Sequence, residues 1–204
     1  MKKIFLITAL LIIAMLTPSA RASDFRAILN SAPLTPTVTN FEPCNEIVQN
    51  TLARIVKPGM DTYDKVKVCY DYLIETCMYG ANRTMNNYPA DTPDEGAILA
   101  YCMLSEHVGA CDHYSCAFAA LVRAIGLNCY TIDGQTTRAD GGYTGHIWTV
   151  INIDGIEYVF DPQIDDNIAR GGPTGYYRFC VTYDETPDTY ADFYNNHYFR
   201  PLAY

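Results

Sequence analysis

The chain is short of basic residues. Its 204 residues hold 14 lysines and arginines against 23 aspartates and glutamates, a formal charge of −9, and an acidic surface repels phosphate backbones and anionic headgroups. Nucleic acid and anionic membrane are therefore excluded as main partners. Long apolar runs are also missing: the sustained stretch Ile4 to Leu16 falls well below the roughly 20 residues that a membrane helix needs. Ligand spacing for zinc is absent as well. The nearest set is Cys111, His113 and Cys116, but Cys-x-His-x-x-Cys on a single helix matches no common zinc pattern, and its two cysteines would stand about 140° apart around the axis. No metal or cofactor is expected.

What the N-terminus does have is an export signal. Lys2 and Lys3 precede the apolar run, and Ala20-Arg21-Ala22 stands before Ser23 as an A-x-A cleavage site. Cleavage after Ala22 removes 22 of 204 residues, among them Lys2, Lys3 and Arg21, so it leaves 182 residues and moves the formal charge from −9 to −12. A chain of that size suits one domain. We expect a secreted or extracytoplasmic protein with no stable membrane insertion after cleavage. Eight cysteines in such a chain would ordinarily suggest disulfides. With Cys111 set aside for the reasons below, seven remain, which cannot all pair; Cys69 and Cys77, about 12 Å apart along one helix, are beyond bridging distance.

In chain order, residues 23–43 contain Pro33, Pro36 and Pro43 without sustained periodicity, and we expect a mostly extended arm before a single domain over 44–204. Ile47, Val48, Leu52, Ile55 and Val56 mark one face of a helix that stops before Pro58-Gly59. Asp61 or Thr62 then caps a second helix, where Val66, Cys69, Tyr70, Leu73, Ile74 and Cys77 share a face. Residues 80–91 read as a polar loop, with Asn82-Arg83-Thr84 a chance glycosylation pattern. Thr92-Pro93-Asp94-Glu95 is a capping box that opens a third helix, with Ala97, Ile98, Tyr101 and Leu104 on its buried face.

Next comes Gly109-Ala110-Cys111-Asp112-His113-Tyr114-Ser115. Ala117, Phe118, Leu121, Val122 and Ile125 recur at helical spacing up to Gly126, so Cys111 lies at a helix N-terminus. Unpaired backbone N–H groups and the positive dipole end gather there, and both favour a thiolate. The plainer account is a small core residue, as free cysteines often are. After Gly126 the pattern changes to strands: residues 128–133, a loop over 134–145, then two alternating segments, His146 to Ile153 and Ile156 to Gln163, around Asp154-Gly155, a strong hairpin signal. A further strand is expected over 176–183, with a tyrosine-rich tail packed across the sheet.

The turn fixes a register in which Ile153 faces Ile156. His146 then lies opposite Gln163 and Trp148 opposite Asp161, and these four share one polar face with Val150, Asn152, Glu157 and Val159. Ile147, Thr149, Ile151, Tyr158 and Phe160 make the core face. His146 and Asp161 become diagonal neighbours, close enough for a hydrogen bond. A nucleophile, a base and an orienting carboxylate are thereby assembled as Cys111, His146 and Asp161, with Trp148 and Gln163 as site-lining residues. His107 and His113 are nearer Cys111 in sequence but have no carboxylate placed by pattern. The duller accounts are a surface histidine at a strand start, a turn aspartate before Pro162 and ordinary packing of Trp148.

These residues resemble the transglutaminase-like superfamily of papain-like cysteine enzymes. The resemblance rests on Gly109 to Ser115, Ala124-Ile125-Gly126-Leu127, Asp133-Gly134, His146-Ile147-Trp148-Thr149-Val150 and Tyr158-Val159-Phe160-Asp161. It implies an α+β fold with N-terminal helices and the nucleophile helix packed on an antiparallel sheet. By motif position it also implies Cys111, His146 and Asp161 as the triad. The family holds amide cross-linkers, peptidases, deglycosylating amidases and inactive members, so it selects no single reaction. Cross-linking members use an upstream tryptophan near the oxyanion, whereas Trp148 is the only tryptophan here, and no calcium loop is present. Two expectations result. One is a secreted thiol enzyme acting on amide bonds of a peptide or protein through a Cys111 acyl-enzyme, with hydrolysis ahead of acyl transfer to an amine. The other is a noncatalytic domain that binds peptides or cell-surface polymers in the same cleft.

Overall fold

A two-residue turn organises the sheet. Asp154 (φ 53°) and Gly155 (φ 83°) both occupy the left-handed region, as a type I′ turn requires, and Gly155 N–H donates to the Asn152 side chain at 3.2 Å. The strands on either side, β4 (Tyr143–Ile153) and β5 (Ile156–Phe160), pair with Ile153 opposite Ile156 and Thr149 opposite Phe160, the register read from the sequence. The computed structural model describes residues 18–87, 95–138, 140–171, 176–186, 189–191 and 198–200. Within them the remaining elements are α1 (Pro18–Ser31), α2 (Glu42–Ile55), α3 (Thr62–Thr76), β1 (Met78–Tyr79), α4 (Glu95–Glu106), β2 (Val108–Gly109), α5 (Cys111–Ile125), β3 (Cys129–Thr137), α6 (Pro162–Gly171), β6 (Phe179–Val181), β7 (Tyr190–Ala191) and β8 (Tyr198–Arg200). The larger sheet runs β6-β5-β4-β3-β7, antiparallel throughout, with β8 also on β3. The protein is α+β.

Helix α5 lies between the other helices and the sheet, in contact with α2, α3, α4, α6, β3 and β4. Ten consecutive residues, His113 to Val122, are buried, because a helix covered on all sides loses its solvated stripe. The main core joins α1 to α5 to one sheet face through Ile151, Ile153, Tyr158 and Phe160. Helix α3 starts where expected, with the Asp61 side chain accepting from Asp64 N–H at 2.9 Å, and it buries Val66, Cys69, Tyr70 and Leu73. The Thr92 capping box lies outside the described residues; α4 is hydrophobic nearly all round, burying Leu99, Ala100, Cys102 and Met103 as well as Ala97, Ile98 and Leu104, while Tyr101 is half-buried.

Three expectations need correction. Residues 23–43 are not mainly extended: α1 runs to Ser31 across the proposed cleavage point. Its own amphipathic pattern is weak, and tertiary contacts hold it. Leu29 is fully buried, Arg26 pairs with Asp61 and with Asp64 (2.6 Å), and Asn30 accepts from Tyr63 N–H at 3.0 Å. The extended part that follows satisfies carbonyls at the end of α5, with Thr35 N–H donating to Gly126 O at 2.7 Å and Thr37 N–H to Arg123 O at 3.1 Å. Second, much of the polar 134–145 stretch is strand, since β3 continues to Thr137 and β4 begins at Tyr143. Third, the face carrying His146 is not solvated. Trp148, Val150 and Val159 are buried there with Ile132, Val181 and Tyr190 in a second core cluster, because the Tyr190 ring of strand β7 and the Tyr183 side chain pack against Trp148 on that face. The tyrosine-rich tail contributes two strands, β7 and β8.

Seven of the eight cysteines are buried, and Cys111 is half-buried. The Asn82 side-chain amide donates to Cys102 O (3.1 Å) and Val108 O (2.7 Å), which ties the 80s loop to α4 and β2 and leaves it a structural rather than a sugar-bearing residue.

Candidate active site

Cys111 is the first residue of α5, and no side chain caps the preceding Ala110. It is also the one cysteine that is not buried. Burial pushes the thiols of Cys44 and Cys129 up to about 12 and those of Cys77 and Cys102 up to about 11, with Cys69 raised further. These five core thiols are thus held protonated, Cys116 and Cys180 are buried as well, and Cys111 is the cysteine a reagent can reach.

His146 is 4% exposed and Asp161 is fully buried. The ring Nε2 of His146 lies 2.6 Å from Asp161 Oδ2, and His146 lines the same cleft as Cys111. Burial alone would push the His146 imidazolium down. The charge and hydrogen bond of Asp161 outweigh that, with Cys111 acting in the same sense, and His146 is pushed up to about 10.

Asp161 is placed differently from the sequence expectation. The β4–β5 ladder stops at Thr149 opposite Phe160, so Trp148–Asp161 and His146–Gln163 are not strand pairs. Pro162 has no N–H to extend a ladder and is instead the first residue of α6. Asp161 becomes the cap of that helix: its Oδ1 accepts from Ile164 N–H at 3.1 Å. The same carboxylate therefore starts a helix and faces His146.

The other two predicted residues separate. Gln163, on the first turn of α6, lines a cleft of about 590 Å³ together with Cys111, His146, Tyr79, Thr144 and Asn167. Trp148 is fully buried behind His146, stacked at 6.2 Å and 22° between ring planes, and its indole N–H donates to Tyr183 Oη at 3.0 Å. It supports the histidine and does not line the cleft. Its ring fits only because position 134 is glycine, since a Cβ there would lie 2.6 Å from Trp148 Cη2.

Two features were missed in the sequence. Tyr190, buried on β7, donates to Asp161 Oδ2 at 3.0 Å and packs 4.6 Å from the Trp148 ring. Nothing in its local sequence distinguishes it from the other tyrosines, because its role depends on β7 pairing with β3. His113 also has a carboxylate after all: Nδ1 lies 2.6 Å from Asp112 Oδ1 on the adjacent residue. Adjacent helical residues do not normally face one another, so pattern reasoning overlooked the pair. His113 is buried and Cys116 packs in the main core, so they do not converge with Cys111. Among the described residues no group of three potential ligands is placed to hold a metal.

The sequence pattern of the transglutaminase-like superfamily matches residues 49–162, more than half of the chain. The chain belongs to the transglutaminase-like superfamily. It is thereby a member of a family of thiol enzymes, and the match runs from α2 to the start of α6 through Cys111, His146 and Asp161. Two solved structures are similar. One is a cysteine protease candidate from Cytophaga hutchinsonii, 13% identical with a TM-score of 0.44, where 86% of this chain aligns with 51% of that one. The other is a TGase, 17% identical with a TM-score of 0.38, where 75% of this chain aligns with 35% of that one. The chain spans about half the length of the first and about a third of the second. No curated protein matches it.

Proposed function

We propose that this superfamily member is an exported thiol enzyme that breaks amide bonds of a peptide or protein through an acyl-enzyme at Cys111. The observation that carries the reading is that, of eight cysteines, the one outside the core sits at a helix start and shares a cleft with a histidine that a buried carboxylate holds. His146 takes the thiol proton, and Asp161 stabilises the resulting imidazolium and fixes the ring's orientation. Cys111 Sγ attacks the amide carbonyl carbon, and the carbonyl electron pair moves onto oxygen. The uncapped N–H at the start of α5 donates to that oxyanion. His146 then gives its proton to the leaving amine as the C–N bond breaks. Water, deprotonated by His146, attacks the thioester, releasing the acid and the thiol.

Hydrolysis is favoured over transfer to an amine because the sole tryptophan lies behind His146, with its N–H donated to Tyr183, and is not placed as cross-linking members place theirs. Met1 to Ala22 supports export, and Phe25, Ile28 and Leu29 of α1 would remain to dock after cleavage. The test is a panel of peptide and glutamine-amide substrates assayed with and without a primary amine. The reading expects a Cys111-dependent acid product that persists without the amine. A wild-type protein inactive on every substrate, with Cys111 alkylated no faster than an ordinary thiol, would sink it.

A further inference from the structure

Cys111, His146 and Asp161 come from three different elements, and apolar burial alone, being non-directional, does not fix how those elements slide against each other. Directional buried bonds do. Just beyond Cys111 on α5, two consecutive residues reach in different directions. Ser115 Oγ donates to Ile147 O at 2.8 Å, beside His146 on β4, and Thr149 Oγ1 returns a bond to Ser115 O at 2.9 Å. Tyr114 Oη donates to Asp166 Oδ2 at 2.6 Å, on the helix that Asp161 caps. Tyr114, Ser115 and Thr149 are fully buried and Asp166 is 2% exposed. None of the four lines the cleft.

We propose that Tyr114 and Ser115 are positioning residues, a two-armed brace that sets Cys111 against His146 through β4 and against Asp161 through α6. With the direct His146–Asp161 bond, the two arms close a triangle of elements around the site. This rests on the reading of Cys111 as the nucleophile. The brace touches no substrate and acts only through the separation of the reacting groups.

The experiment is alkylation of Cys111 by iodoacetamide, followed by peptide mass spectrometry across pH, with thermal midpoints measured in parallel, on wild type, Ser115→Ala, Thr149→Val and Tyr114→Phe. Each substitution removes one hydroxyl and little volume. In wild type, reaction is expected to persist at about pH 6, where an ordinary thiol of pKa about 8.5 is mostly unreactive. Each variant is expected to lose about 10- to 100-fold of that rate, the order expected for a misplacement of about 1 Å, and to converge with wild type above about pH 9. Thr149→Ser, which keeps the hydroxyl, is expected to retain the wild-type profile. Variants that lower the thermal midpoint but keep the profile would overturn the brace while leaving the nucleophile reading intact. A wild-type Cys111 with an ordinary thiol profile would overturn both. If one variant fails to fold, the other arm still decides, since each arm is expected to shift the profile by itself.

Discussion

Replacing Asp161 with asparagine is nearly isosteric, yet the structure makes it disruptive. The carboxylate accepts three bonds, from His146 Nε2 (2.6 Å) and Tyr190 Oη (3.0 Å) on Oδ2 and from Ile164 N–H (3.1 Å) on Oδ1. An amide has one accepting oxygen and one donating nitrogen, so in either orientation its NH₂ faces a donor, and a mismatch of this kind costs roughly 1 to 3 kcal/mol. Loss of the charge adds to this. His146, pushed up to about 10, is raised well above the ordinary value near 6.5, so its pairing stabilises the fold fully below about pH 6.5 and ceases to do so as pH rises through about 10. Removing one partner of a buried pair costs about 3 to 5 kcal/mol. Asp161→Asn in a Cys111→Ala background, which removes the thiol's share of the effect, is therefore expected to lose about 3 to 5 kcal/mol at about pH 5.5. Near pH 10 the loss should shrink to the roughly 1 to 3 kcal/mol of the mismatch. Urea unfolding at three pH values measures this. A stability gap that is constant or that widens with pH would refute the assignment of an Asp161-held imidazolium.

Three other outcomes follow from the same geometry. Brief iodoacetamide treatment of the native protein at neutral pH should label Cys111 alone, and treatment in urea should label all eight cysteines, because the other seven are buried; intact mass counts the additions. Gly134→Ala drives a Cβ to 2.6 Å from Trp148 Cη2 and should cost about 1 to 3 kcal/mol by overpacking, with a shifted emission of the single tryptophan and slower alkylation of Cys111. Leu29→Ala, at a fully buried position of α1, should cost about 2 to 5 kcal/mol in thermal or urea unfolding; an unchanged stability would mean that α1 is not part of the cooperative fold.

The sequence by itself determined the features whose causes are local. Asp154-Gly155 dictated the turn, and period-two alternation then placed Thr149 opposite Phe160 without any structure. Helical spacing placed α3 and the start of α5, hence Cys111 at a helix N-terminus. The tertiary structure decided what depends on partners distant in the chain. Weakly amphipathic α1 became helical because Leu29, Arg26 and Asn30 found α3 and the core. The glycine-rich stretch before His146 became strand because Gly134 gives Trp148 room beneath it. Alternation shows which residues share a face but not what covers it, so the burial of the His146 face by Tyr190 and Val181 lay beyond it. Asp161 shows both sides of the division. Register reasoning brought it to His146, but the aspartate arrives as the cap of α6 rather than as a strand residue, because Pro162 ends the ladder and a helix N-terminus offers its N–H groups to a carboxylate.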